Sequence, residues 1–171
     1  DDQTIMRTVE MLKEGKIVGW YQGNGEIGPR ALGHRSLLIN PMIKNAKDII
    51  NKVKKRETYR PFGASILKEY VKEYFNTDVH NPHMLYVGNT TKDNLNSITH
   101  IDGTCRYQTV DENNGVYHKL LRHFYAQTGC PLILNTSFNI NGKPILGNKV
   151  DTIKFFNEGD IDAVVIGNTI I

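Results

Sequence analysis

The chain has 171 residues, 39% of them hydrophobic and 23% charged, with a formal net charge of +3. That is enough for one well-buried core and too little for two full domains. No apolar run approaches the length of a membrane span, and two cysteines, Cys105 and Cys130, form neither a disulfide framework nor a metal-ligand spacing, which points to a reducing cytoplasm.

In chain order, the pattern predicts a helix over about 3–14 stopped by Gly15, then a strand over 16–21. A glycine-rich turn leads to a strand over 36–40 and a helix over 45–55. A strand over 62–67 precedes a short helix over 68–75, a polar stretch over 76–83 and an apolar run over 84–87. Residues 104–110 alternate as a strand, and Val116, Leu120, Leu121 and Phe124 form a helical stripe ended by Gly129 and Pro131. A buried-type strand over 132–134, a helix over 150–157 and a strand over 163–166 close the pattern. Interleaved strands and helices without a linker predict an α/β (α+β) layered fold over 1–171, built on a mixed sheet.

The turn after the first strand reads "GNGEIG" (23–28), a literal match to the dinucleotide-binding fingerprint. That fingerprint needs a crossover helix of a dozen residues after its last glycine. Here only "PRALGHR" (29–35) separates Gly28 from the next strand, so the match is accidental. What it leaves is a glycine turn carrying Arg30 and Arg35.

Positive charge is local. Seven lysines and arginines against Asp48 and Glu57 give residues 44–62 a net charge of +5, which leaves −2 for the rest and points to an anionic partner. Four strand-end loops combine cations with small hydroxyl or amide residues: "GPRALGHRS" (28–36), "KKRETYRPF" (54–62), "DGTCRYQTV" (102–110) and "LNTSFNINGKP" (134–144). Arginine's planar fork fits phosphate or carboxylate, and Thr104, Ser137 and Asn139 can add neutral hydrogen bonds. The loops are expected to converge on one polyanion pocket, where catalysis would be electrostatic. The bland readings compete at each position. Arg30 can pair with Glu26, Arg35 can lie on the surface, Arg56 and Glu57 can pair locally, and Asn135 and Asn139 can bond their own turn backbone. His80 and His83 have no third ligand near them and read as exposed loop residues, so no metal site is expected.

The blocks "EGKIVGWYQG", "GPRALGHRS", "VKKRETYRPF", "HIDGTCRYQTV", "TGCPLILNTSFNINGKPI" and "DAVVIGN" resemble, in the same order, the C-terminal domain of the NodU and TobZ type O-carbamoyltransferases. The resemblance implies a YrdC-like twisted mixed sheet flanked by helices, and a chain that is the C-terminal portion of a longer enzyme whose N-terminal domain is of the ASKHA type. It implies binding of ATP and carbamoyl phosphate, with Mg²⁺ accompanying the triphosphate, and formation of carbamoyl adenylate for transfer to a hydroxyl by the other domain. The family's K-x-R and S-x-N elements fall on Lys54 with Arg56 and on Ser137 with Asn139, and Arg30, Arg60 and Arg106 match its other basic positions. Lys54, Arg56, Arg60, Arg106 and Ser137 are then the expected catalytic set, with Arg30, Thr104, Asn135 and Asn139 as binding residues. A rival reading takes the +5 stretch as a surface for double-stranded RNA.

Overall fold

The computed structural model describes residues 2–171. Helix α1 (Asp2–Lys13) buries Ile5, Val9 and Leu12 at helical spacing and ends before Gly15, whose φ of +81° lets the chain turn back. Strands β1 (Val18–Tyr21) and β2 (Arg35–Ile39) follow, then α2 (Ala46–Val53), β3 (Gly63–Leu67) and a 3₁₀ turn that runs into α3 (Val71–Phe75). The second half comprises β4 (Val87–Asn89), β5 (Thr104–Val110), α4 (Val116–Thr128), β6 (Leu132–Ser137), α5 (Lys149–Glu158), β7 (Ala163–Ile166) and β8 (Thr169–Ile170). No helix among the described residues is long and apolar enough to cross a membrane.

The eight strands form one sheet in the order β4-β5-β3-β6-β2-β1-β7-β8. Only β3 with β5 and β1 with β7 are parallel, so the sheet is mixed, as expected. Side chains alternate between the two faces of a strand, so register decides which residues meet. Ser65 lies opposite Gln108 on one side and Ile133 on the other, and Ser36 lies opposite Ser137. Arg106, Gln108, Ser65, Asn135, Ser137 and Ser36 therefore share one face. Tyr107, Ala64, Ile66, Leu132, Leu134, Leu37 and Ile39 occupy the other, all fully buried in the core.

Three features that the pattern left open or cut short have local causes. The apolar run 84–87, assigned to no element, forms an irregular turn for most of its length. Buried Asn81 donates to the Tyr86 and Tyr107 carbonyls and accepts from the Leu85 N–H, which holds a turn in which Met84 has φ +55°. Leu85 and Tyr86 are left exposed, and only Val87 joins β4. Strand β6 runs past Leu134 to Ser137 because Asn135 and Ser137 are paired with Leu38 and Ser36 of β2, which outweighs the turn preference of Asn-Thr-Ser. The two-residue β8 at the sheet edge is too short to leave a period-two signal.

Gly33 fixes where the glycine loop meets the helical layer. Its φ is +100°, and a Cβ there would stand 2.3 Å from the nearest ring carbon of buried Tyr117 on α4. Its carbonyl accepts from the Trp20 indole at 3.0 Å. Gly33→Ala is expected to cost about 2–4 kcal/mol, from left-handed strain plus overpacking. That lowers the midpoint of thermal unfolding by roughly 5–15 °C for a chain of this size. Gly129→Ala, where φ is +71° with nothing near the added carbon, carries only the strain of about 1–2 kcal/mol. Differential scanning calorimetry of the two variants checks the difference.

Candidate functional site

The loop between β1 and β2 contains no helix, in keeping with the rejected dinucleotide reading. It is organised from within by two charged side chains. Glu26 Oε1 accepts the backbone N–H groups of Leu32, His34 and Arg35 at 2.8, 2.8 and 3.2 Å, so its carboxylate serves the loop and does not pair with Arg30. Arg35 is buried, contrary to the surface reading. Its guanidinium donates to the Gln22 carbonyl at 2.7 Å and the Gly23 carbonyl at 2.9 Å and stacks on the Tyr21 ring at 3.4 Å. Sheet residues hold the far side of the loop, with Gln108 Nε2 donating to the Leu32 carbonyl at 3.0 Å and Asn135 Nδ2 to the Ala31 carbonyl at 3.0 Å. Arg30 is thereby presented from a segment tied down on both sides of it.

The end of α2 supplies the next cations. Lys55 takes a left-handed φ of +51°, an unusual conformation for a lysine, and its neighbours separate. Lys54 is buried and donates to Ser137 O at 2.6 Å, Ser137 Oγ at 3.3 Å, Asn139 O at 3.0 Å and Asn139 Oδ1 at 2.8 Å. Arg56 donates through Nε to Asn51 Oδ1 at 2.6 Å and packs over the Phe62 ring. Asn51, itself fully buried, uses its amide nitrogen to hold the Thr58 and Arg60 carbonyls, which folds the 54–62 loop back on itself.

A cavity of about 110 Å³ lies where these parts meet. Arg30, Arg56, Arg106, Asn135 and Ser137 line it, so all four loops contribute, and Met84 and Gly63 complete the wall. A Cβ on Gly63 would sit 2.8 Å from the Arg106 carbonyl and 3.1 Å from the Met84 sulfur, so the close approach of β3 to β5 needs a glycine here. Lys54 and Asn139 stand behind Ser137 and do not line the cavity. Arg60 is half exposed and paired with Glu57 at 3.0 Å. Thr104 is occupied locally, donating to Asp102 Oδ1 at 2.7 Å with His100 Nδ1 at 3.1 Å.

Charge pairing separates this cavity from the larger groove at the other ends of the same strands. Among the described residues, the ion pairs involve Arg7, Lys16, Arg60, Lys68, Lys72, Lys92, Arg122 and Lys154, and none involves Arg30, Lys54, Arg56 or Arg106. Burial and then nearby Arg106 lower the Arg30 pKa, and burial and then Arg60 lower that of Arg56. Burial, followed by repulsion from Arg56, brings Lys54 down to about 7. A larger groove of about 740 Å³ lies beyond the other ends of β3 and β5, but its cations are neutralised in Lys68–Asp111, Lys72–Asp78 and Arg122–Glu69 pairs. Uncompensated cations around a small cavity make an anion site; a groove of closed pairs does not. No cluster of three or more metal-ligating side chains occurs among the described residues, and His80 and His83 are both exposed.

Sequence reasoning missed Asn51, Ser65, Gln108 and Gly63. Ser65 in "ASIL" and Gln108 in "RYQTV" are polar residues at buried strand positions, which is the signal that could have marked them.

Residues 9–171 match the family model for the carbamoyltransferase C-terminus. The nodulation protein NolNO of Sinorhizobium fredii is 41% identical over 178 residues, covering 99% of this chain and 26% of that protein. The 3'-hydroxymethylcephem-O-carbamoyltransferase of Amycolatopsis lactamdurans is 39% identical over 160 residues, covering 92% and 31%. The chain thus spans between a quarter and a third of the length of these relatives. In fold it is similar to full-length HypF (TM-score 0.69, 20% identity, 96% of this chain and 25% of that one) and to Sua5 of P. abyssi (0.70, 17%, 98% and 47%). By its sequence the chain belongs to the carbamoyltransferase C-terminal family, and its architecture is YrdC-like.

Proposed function

We propose that the cavity and the open surface at its mouth bind ATP and carbamoyl phosphate and form carbamoyl adenylate, which a further domain of the full enzyme, of the ASKHA type, uses to carbamoylate a hydroxyl. The observation that carries this reading is the set of unpaired cations, Arg30, Arg56 and Arg106, around one small cavity in a chain of this family. The HypF structure of like fold is described as phosphate- and nucleotide-bound, which agrees with the choice of ligand class.

Water first opens carbamoyl phosphate to carbamate and inorganic phosphate. A carbamate oxygen then attacks the α-phosphorus of ATP, and the bond to the β,γ-phosphate breaks to release pyrophosphate. Two anions must approach each other, and three fixed guanidinium groups lower that repulsion without reorganising during the reaction. Arg30 and Arg106, whose charges already oppose each other, would take one anion between them. Arg56 would hold the other, and Lys54, together with the Ser137 hydroxyl that donates to Asn139 Oδ1 at 2.6 Å, would keep Ser137 and Asn139 in place from behind. No carboxylate lines the cavity, so Mg²⁺ would enter as part of Mg·ATP. Lys54 and Arg56 are turned inward, which removes two charges from the exposed stretch that favours a double-stranded RNA surface.

Two arginines test the site. Arg106 faces the cavity, and its loss removes a charged hydrogen-bond donor worth about 1.5–3 kcal/mol, or roughly ten- to 150-fold in ligand affinity. Arg122 is about half exposed in a pair with Glu69, where such contacts contribute about 0–1 kcal/mol. Arg106→Ala is expected to lose carbamoyl-phosphate-dependent pyrophosphate release while its melting temperature moves by only a few degrees, and Arg122→Ala to change neither. Equal activity of the two variants removes Arg106 from the site.

Lys54 gives the site a pH dependence. Its folded pKa of about 7 lies below the ordinary lysine value of 10.5, so between these limits the unfolded chain holds a proton that the folded chain has released. Stability from this group therefore rises as pH increases from about 7 towards 10.5 and is least below 7, where the charge is buried. Urea unfolding of the wild type and of Lys54→Met at pH 6 to 9 is expected to show this rise only in the wild type; parallel curves contradict it.

A further inference from the structure

Three cations account for an anion in the cavity, but they do not account for Asn135. Its side chain is buried, Nδ2 donates to the Ala31 carbonyl at 3.0 Å and to Ser65 Oγ at 2.9 Å, and Oδ1 has no hydrogen-bond partner among the described residues. The amide cannot be turned over. The Ala31 carbonyl only accepts, so it must face the nitrogen. The Ser65 hydroxyl donates to Gln108 Oε1 at 2.7 Å, and the Gln108 amide nitrogen donates to the Leu32 carbonyl at 3.0 Å. Each bond fixes the direction of the next, and both Asn135 N–H groups are used.

A buried acceptor left without a donor is exceptional and calls for a reason. Four buried side-chain polar atoms, donor or acceptor, have no partner among the described residues, namely Glu26 Oε2, Arg35 Nε, Tyr117 OH and Asn135 Oδ1. Of these four residues, only Asn135 lines the cavity with Arg30, Arg56 and Arg106. A ligand that satisfies every group there carries an anion and, within the same small molecule, an N–H donor. A carbamoyl phosphate has both. An acyl phosphate of equal size and charge, with methyl in place of NH₂, has only the anion, and the arginines cannot tell the two apart.

Building on the carbamoyl phosphate reading, we propose that Asn135 Oδ1 accepts a hydrogen bond from the carbamoyl NH₂ and selects the carbamoyl group against other acyl phosphates. A site with a fixed acceptor rejects the methyl analogue because the acceptor then stays buried and unpaired.

Phosphonoacetamide and 2-oxopropylphosphonate test this by isothermal titration, since they differ only in NH₂ against CH₃ and neither hydrolyses. Inorganic phosphate reports the cations alone. The wild type is expected to bind the amide roughly ten- to a hundredfold more tightly than the ketone. In Asn135→Ala that ratio falls towards one. A loosened Arg30 loop would weaken all three ligands together, so the ratio isolates the acceptor from any structural effect. Equal affinity of the wild type for the two phosphonates, both tighter than phosphate, overturns the Asn135 role alone, and so does an unchanged ratio in the variant. Phosphonates binding no better than inorganic phosphate overturn the carbamoyl phosphate reading and this inference with it. If the variant does not fold, the wild-type ratio decides.

Discussion

Like charges repel, and the molecule holds three guanidinium groups around one cavity with a buried ammonium behind them and no carboxylate among them. What makes this tolerable is a second set of contacts, in which carbonyl, amide and hydroxyl oxygens take the place of counter-ions. Lys54 faces four such oxygens, and Arg56 spends its Nε on Asn51. Neutral acceptors satisfy the donors without cancelling the charge, so the field is kept for a ligand. A carboxylate in any of these places would stabilise the empty site and weaken it as an anion trap.

The same division explains two other charges near the cavity, half-buried Glu26 and buried Arg35. Glu26 and Arg35 are close in the fold, yet each is spent on backbone. Glu26 gathers three N–H groups of the loop, and Arg35 gathers carbonyls of the residues on which the loop begins. The glycines give the loop its shape, and these two side chains keep it. Arg30 needs no partner of its own, because its neighbours Ala31 and Leu32 are held by amides from the sheet. Positioning and binding are done by different residues.

Much of the architecture was legible because it depends on period. Helical stripes and strand alternation gave nearly every element, and glycine, proline and spacing ruled out a crossover helix after Gly28. The arginine-bearing loops could be named from donor chemistry, but their relative roles could not. Register decides that Arg106, Ser65, Asn135 and Ser137 share a face, and register is a pairing between strands that no single strand encodes. For the same reason Lys54 reads as one of a run of surface cations, whereas the left-handed Lys55 sends it inward. Asn135 reads as a turn residue for want of any local hint that Ala31 lies beside it.

The cavity draws its wall from four stretches of chain that meet only through β2, β6, β3 and β5 in the interior of the sheet. No local segment, and no half of the chain, holds all of it. Ligand affinity and global folding are consequently one cooperative quantity, and a ligand present at a hundred times its dissociation constant adds about 2.7 kcal/mol to the free energy of unfolding. The abundance of such a protein in a cell would then follow the supply of its own substrates, since the unliganded chain is the one nearer to unfolding and to proteolysis.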